Sequence, residues 1–306
     1  MASVMAGLTS VFLEHLVKPT FHPDFPLDKQ RKRLDFIQKL APMPFGVEKT
    51  VMTLAGVPAW QLTPKNPSAN QLLYLHGGGY VFGSPQSHGD VAARIAKETG
   101  LTTTLIDYRL APEFPFPAGL DDALAAYKAL SSQDGAVYIA GDSAGGGMTL
   151  ALMQRIREEG LPSPKALITL SPWADLSCSG DSFTERLERE KLLVPEWAHK
   201  AASLYLNDSA DASNPLVSPV NADFEGFPPT LIQVGSEEIL YSDSTRLYER
   251  MQSTGVNVTL SEYPQMWHVF QLHAGYMPEA KQALHEIGRF VRDLEDKSVS
   301  AATAQA

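Results

Sequence analysis

Cysteine is almost missing from this sequence: Cys178 is the only one among 306 residues. A single thiol excludes an intrachain disulfide and any zinc site built from clustered thiolates, and it suits a reducing compartment. Apolar runs long enough to cross a bilayer are missing too. So is an excess of positive charge, since 25 Lys and Arg stand against 35 Asp and Glu. The resulting formal net charge of −10 repels a phosphate backbone, and no stripe of Lys and Arg interleaved with aromatics offsets it, so no nucleic-acid partner is expected. The one basic run, Lys29 to Arg33, lies between Asp28 and Asp35 and reads as a solvated helix face. The first twenty residues lack a basic leader ahead of their apolar residues and include Glu14 and His15, which reads against a secretory signal. A cytoplasmic protein is the expectation. Internal repeats and low-complexity tracts are also lacking, apart from a small, polar tail from Ser298 to Ala306 that is expected to fray and be flexible.

What is present is a globular composition, 44% hydrophobic and 20% charged, able to bury a sizeable core. Residues 1–46 read as an appended helical element: Val11, Phe12, Leu16 and Val17, then Leu34, Ile37 and Leu40, recur at helical spacing around a Pro-rich break from Pro19 to Pro26. From Val47 onward, short β-rich runs take over. They are Val51 to Leu54, Ala59 to Leu62, Gln71 to Leu75, Thr102 to Ile106, Ala136 to Ala140, Ala166 to Leu170, Thr230 to Val234 and Val258 to Glu262. Helical patterns fall between the later ones, over Asp90 to Thr99, Gly119 to Leu130, Ala144 to Glu159 and Ser244 to Ser253, with a last one over Pro278 to Leu294. Alternation of this kind predicts an α/β fold with a mostly parallel, doubly wound sheet whose chemistry collects at the carboxyl ends of the strands. The core is expected over 47–177 and 221–297. Between them, residues 178–220, with helical patterns over Ser182 to Glu190 and Pro195 to Leu206, form an insertion too long for a floppy loop. It predicts a lid or pocket wall that joins the N-terminal helices in a cap.

The stretch from Ala136 to Leu150 carries the most chemistry. An apolar β-like run meets a helical one at Gly141-Asp-Ser-Ala-Gly145, the pattern of a nucleophile elbow. Gly141 and Gly145 stand where side chains would collide in so sharp a turn, and the turn lifts Ser143 Oγ clear of the backbone. The helix that starts at Ala144 points its amino end at the developing negative charge. Upstream, the strand Gln71 to Leu75 runs into His76-Gly-Gly-Gly-Tyr80, whose glycines let backbone N–H groups approach a ligand. The Lys-Ser/Thr ending of a phosphate-binding P-loop is lacking. Gly77, Gly78 and Ala144 are therefore the expected oxyanion donors, with His76 organising the loop.

Eight histidines compete for the role of base. Order along the chain favours His268, in the loop after the last strand and before the last helix, with His273 in reserve. Two carboxylates compete for the acid that orients it. Glu238 lies nearer the strand end at Val234 and is the first choice, while Asp243 reads equally as a helix cap.

Taken together, these motifs resemble the hormone-sensitive-lipase-like esterases, family IV of the bacterial lipolytic enzymes within the α/β-hydrolases. The resemblance covers about residues 47–295 and rests on His76-Gly-Gly-Gly-Tyr80, Tyr108-Arg-Leu-Ala-Pro-Glu113 with Pro115, Pro117 and Asp121-Asp122, Gly141-Asp-Ser-Ala-Gly-Gly146, Ser171-Pro-Trp173 and Trp267-His268. It implies an eight-stranded core with helices on both faces, a helical cap, no cofactor and no metal, and a serine carboxylesterase acting on small-molecule esters with short to medium acyl chains through an acyl-enzyme. It also allows a homodimer. One departure concerns the acid, where Glu238-Ile-Leu240 replaces the family's Asp-Pro-Leu-like stretch. Phe82, Asp142, Trp173, Leu193 and Trp197 are the expected pocket residues, and Arg109, Glu113 and Asp122 the expected braces beneath it. An amidase, lactonase or deacetylase would use the same triad, and a ligand receptor on an inactive scaffold is the reading from another class.

Overall fold

The computed structural model describes residues 2–39, 42–207 and 210–305. All eight expected strands form: β1 (Val47–Leu54), β2 (Val57–Pro64), β3 (Gln71–Leu75), β4 (Thr102–Ile106), β5 (Val137–Asp142), β6 (Leu167–Leu170), β7 (Thr230–Gly235) and β8 (Val258–Tyr263). They make one sheet in the order β1-β2-β4-β3-β5-β6-β7-β8. The hairpin β1-β2 closes at Ala55 and Gly56, both at positive φ, and this hairpin and the β2-β4 pair are the antiparallel part. The remaining pairs are parallel. In β5 and β7 every residue is buried, as a strand covered on both faces by helices requires, whereas edge strands β1 and β8 are half exposed.

Crossover helices connect the strands, and a last helix follows β8. They are α3 (Pro85–Thr99), α4 (Ala118–Ser131), α5 (Ala144–Glu158), α8 (Tyr241–Ser253) and α9 (Pro278–Gln305). Helix α3 packs on α9 and α4 on α5. Several boundaries differ from expectation for local reasons. Ser84 caps α3 in a reciprocal capping box with Ser87, so the helix starts at Pro85 rather than Asp90. The backbone of α9 runs beyond Leu294 to Gln305. The tail expectation reaches Ala306, which lies outside the described residues, as does Leu40.

Register decides where the chemistry gathers. Leu75 pairs with Gly141, Asp142 with Leu170, Leu170 with Gln233 and Gly235 with Tyr263, so the carboxyl ends of five adjacent strands finish level with one another. The loops that follow them hold the three glycines of 77–79, Ser143, Ser171, Glu238 and His268.

Two segments lie outside this core. The N-terminal one runs through α1 (Val4–Phe12), a π turn over Leu13–Val17, a 3₁₀ turn over Lys18–Phe21 and α2 (Leu27–Lys39), breaking where the prolines predict. The other contains α6 (Ser182–Glu185) and α7 (Pro195–Leu206). Helix α6 stops five residues before the expected end at Glu190. Instead of facing solvent on a helix, the Glu190 side chain turns back to accept the N–H groups of Leu192 and Leu193 at 2.8 and 3.2 Å, a local alternative that competes with helix. Arg31 also departs from the solvated face expected of its basic run. Its guanidinium reaches across to the carbonyls of Val81 and Ala111, at 2.7 and 2.8 Å, and to both oxygens of Glu113.

Candidate active site

Ser143 sits between β5 and α5 with φ 52° and ψ −121°, a backbone that L side chains avoid and that the surrounding bonds enforce. Its N–H donates to Leu170 O at 2.9 Å, and its carbonyl accepts Trp173 N–H at 2.9 Å and Gly147 N–H at 3.0 Å. A Cβ on Gly145 would stand 2.0 Å from the carbonyl oxygen of Leu75, so α5 can approach the end of β3 only because that residue is glycine.

His268 and Glu238 complete a continuous line from the serine. His268 Nε2 lies 2.9 Å from Ser143 Oγ, and Nδ1 lies 2.9 Å from Glu238 Oε2. A carboxylate can only accept, so it keeps the ring proton on Nδ1 and leaves the Nε2 lone pair facing the serine hydroxyl. Burial alone would lower the pKa of His268. The hydrogen bond and charge of Glu238, with smaller contributions from Glu190 and Asp142, outweigh burial and leave it above the usual 6.5. Glu238 is fully buried, and its second oxygen accepts the hydroxyl of Ser171 and the N–H of Gly235, each at 2.6 Å. Ser171 Oγ also accepts Val269 N–H at 3.1 Å, which ties the acid to the residue after the base.

Asp243, the second choice for the acid, is engaged elsewhere: its Oδ2 accepts the N–H groups of Ala174 and Asp175 at 2.8 and 2.9 Å. His273, the reserve base, lines the cavity with its Nδ1 3.0 Å from the Tyr276 hydroxyl, and burial lowers its pKa to about 4. His76 stacks on Tyr108 at 4.1 Å between ring centres and takes Gly77 O at 2.8 Å, as a loop organiser should.

The glycine loop requires a correction. Gly77, expected as an oxyanion donor, gives its N–H to Asp142 Oδ1 at 3.0 Å and is not free for a ligand. Asp142 is buried, and a desolvated carboxylate must collect donors. It also accepts the Tyr74 hydroxyl at 2.9 Å and lies 3.3 Å from His88 Nε2. Burial pushes the pKa of Asp142 up, but His88, Tyr74 and His76 together leave it lowered. Gly78 and Gly79, both at positive φ, line the cavity, and their N–H groups make none of the hydrogen bonds found among the described residues. Ala144 opens α5, where a first-turn N–H has no partner within the helix.

A cavity of about 420 Å³ opens over Ser143 and His268. Phe82, Asp142, Leu193 and Trp197 line it as expected. Trp173 does not. It is buried behind the elbow, where its indole N–H donates to Asp175 O at 3.1 Å and its backbone packs on Gly147. The sequence reading missed the share contributed by Phe12, Leu13, Phe21 and Ile37 of the N-terminal segment, although Phe12 and Ile37 fall on its helical pattern. It also missed the roles of Ser171, His88 and Glu190: Ser171 falls in the Ser171-Pro-Trp173 motif, but its bond to Glu238 comes only from the pairing of β6 with β7, and no local motif marks the other two. Of the expected braces, Arg109 grips Asp122 through two nitrogens at 2.8 to 3.0 Å, and Glu113 grips Arg31. Among the described residues, no group of three or more His, Cys, Asp or Glu side chains is arranged to hold a metal ion, and no helix is long and apolar enough to cross a membrane.

Known proteins share both the sequence and the architecture. The signature of a family described as the alpha/beta hydrolase fold matches residues 72–272. An acetyl-hydrolase of Streptomyces hygroscopicus is 42% identical over 245 residues, covering 79% of this chain and 82% of its own. An esterase of Acinetobacter venetianus is 34% identical over 291 residues, 93% of this chain and 96% of its own. Among solved structures, an esterase from the bacterial hormone-sensitive lipase family superposes with a TM-score of 0.89 at 35% identity, covering 96% of this chain and 99% of that one.

Proposed function

The chain belongs to the hormone-sensitive-lipase-like esterases of the α/β-hydrolase family, and from that premise we propose that it hydrolyses carboxylic esters of short- to medium-chain acids through an acyl-enzyme on Ser143. The observation that carries the reading is the unbroken line Ser143 Oγ, His268, Glu238, with both hydrogen bonds at 2.9 Å. Ser143 Oγ attacks the ester carbonyl carbon while His268 Nε2 takes its proton, and Glu238 stabilises the imidazolium so formed. The carbonyl oxygen becomes an oxyanion that accepts N–H bonds from Gly78, Gly79 and Ala144, with Gly79 taking the place that Gly77 leaves. The imidazolium then protonates the departing alcohol. Water, deprotonated by the same ring, attacks the acyl-enzyme and releases the acid.

Residues 1–46 and 178–220 act in this reading as a cap over a core of 47–177 and 221–297. Two contacts support it. Trp197 of α7 meets Phe21 edge to face at 4.9 Å between ring centres, and its indole N–H donates to Gln30 Oε1 at 3.3 Å, so both outer segments lean on one aromatic side chain above the site. The apolar walls and a volume of about 420 Å³, within the range of small-molecule pockets, favour a modest acyl chain.

Replacing Ser143 with Ala tests the mechanism. Ester hydrolysis should fall by on the order of 10³-fold or more, with loss of labelling by a fluorophosphonate. A Ser143→Ala enzyme working near the unmutated rate would end the proposal.

A further inference from the structure

One buried carboxylate beside the triad has no part in the mechanism above. Glu190 belongs to the insertion, yet its side chain is fully buried. Its Oε1 accepts the N–H groups of Leu192 and Leu193, which line the cavity, and its Oε2 accepts the N–H of Ile239 at 3.0 Å, the residue after the triad acid. The same residue is held from a third side, because the ammonium of Lys18 donates to its backbone carbonyl at 2.7 Å.

We propose that Glu190 is a positioning residue for ester hydrolysis: its carboxylate clamps the pocket wall at Leu192 and Leu193 to the backbone beside Glu238, and sets a second negative charge behind His268. The inference rests on the Ser143, His268, Glu238 reading. Three N–H donors and no acceptor surround the side chain, so the ionised form fits and a carboxylic acid would have nowhere to donate its proton. Burial raises the pKa of Glu190 and the charge of Glu238 adds to that, while His268 and the N–H groups of Ile239 and Leu192 oppose it; its own charge helps to raise the pKa of His268. The other charged groups nearby are paired off. Lys191 meets Glu14 at 3.0 Å, Arg189 faces Glu237 at 3.5 Å, and Arg186 donates to the carbonyl of Ser236. On the far side of the base, Asp142 faces His268 from β5 and is bound to Tyr74 and His88.

Glu190→Gln separates these roles from simple packing. The amide keeps the volume but offers one acceptor oxygen where two are used, so its NH₂ must face either the wall or Ile239 N–H, and the negative charge is gone. The measurement is the pH profile of kcat/KM on a short-chain p-nitrophenyl ester, normalised to active sites titrated with a fluorophosphonate. The acid limb should move to lower pH by roughly one unit, because an imidazolium with less negative charge behind it gives up its proton more readily. The turnover number should fall roughly tenfold, as expected when an oriented group drifts. Glu190→Asp should leave the limb in place while lowering kcat, since the charge remains and the shorter arm loses Ile239. A Glu190→Gln limb that does not move, or a Glu190→Asp limb that moves as far, would overturn the proposal. Where the Gln variant does not fold, the Asp variant decides: kcat and limb both equal to the unmutated enzyme would overturn it, and a lowered kcat with a fixed limb would support it. Failure here with Ser143→Ala still inactive rejects the role of Glu190 alone, whereas an active Ser143→Ala enzyme removes the premise.

Discussion

Glu238 shows how much a single side chain depends on its neighbours. A glutamate carries one methylene more than the aspartate usual in this family, and here the extra reach is taken up by a loop in which Gly235 N–H and Ser171 hydroxyl both hold Oε1 while Oε2 meets the imidazole. The charge held there raises the pKa of His268, and a base must be neutral to take the serine proton. Activity is therefore lost as pH falls through the His268 pKa, and kcat/KM should show an acid limb above pH 6.5. Glu238→Gln should move that limb downward, since the neutral amide no longer favours the imidazolium. It should also cut kcat by on the order of 10³–10⁴-fold, because an amide in that place leaves the ring free to take the wrong tautomer. A rate profile with its acid limb unchanged in Glu238→Gln would remove Glu238 from the triad. The preference for Glu238 over Asp243 could be drawn from its nearness to the end of β7, but its support by Ser171 could not. Ser171 stands 67 residues away along the chain and is brought to Glu238 by the pairing of β6 with β7.

Among the secondary-structure elements, the strongest local signals lie where two of them meet. The β5-α5 elbow is legible because its glycines, serine and flanking apolar runs are consecutive, and each does its work against adjacent backbone. The anchoring of α2 is not legible, since a run of Lys and Arg between two aspartates looks the same whether it faces solvent or bridges to another loop. Arg31 bridges: its Nε and both terminal nitrogens bond Val81 O, Ala111 O and Glu113, and hold α2 against the chain that follows the glycine loop. Arg31→Ala should destabilise by about 2 kcal/mol, the loss of a few charge-assisted bonds, and lower Tm by a few degrees. It should also raise KM more than it lowers kcat, because the affected wall, with Leu34, Ile37 and Phe82, lines the cavity and the triad residues stay in place. Thermal melts with steady-state kinetics check both, and a variant with unchanged Tm and KM would show that α2 is held by its apolar face alone.

Taken as a whole, the protein builds its cavity from stretches far apart in sequence, among them Phe12 to Ile37, Gly78 to Phe82 and Leu192 to Trp197, together with Ser143 and the chain from His268 to Tyr276. Trp197 is the common point, with Phe21 and Phe82 both against it at 4.9 and 5.8 Å. Trp197→Ala should open that end and shift preference toward longer acyl chains, raising the ratio of kcat/KM for an octanoate ester over an acetate ester by roughly tenfold, the scale of about one or two methylenes accommodated. Burial of the indole implies a cost of about 3–5 kcal/mol in stability. Rates on a series of esters from acetate to palmitate, with an amide control, measure this directly, and an unchanged chain-length profile would place the acyl group elsewhere in the cavity.

Strand count, the alternation that makes a parallel sheet, the elbow and the order serine, acid, base can all be read along the chain, because each depends on neighbouring residues or on periodicity. Which N–H groups stay free, which carboxylate serves another carboxylate's loop and which aromatic turns away from the cavity cannot. Gly77 and Gly78 are indistinguishable as letters, and what separates them is that Asp142, itself buried and short of donors, lies beside one of them. Trp173 and Trp197 are likewise the same residue in the same composition, yet one packs behind the elbow and the other closes the cavity. Such distinctions come from long-range pairing in a crowded interior, where every buried polar group must find a partner and each partner taken is one that a substrate cannot use.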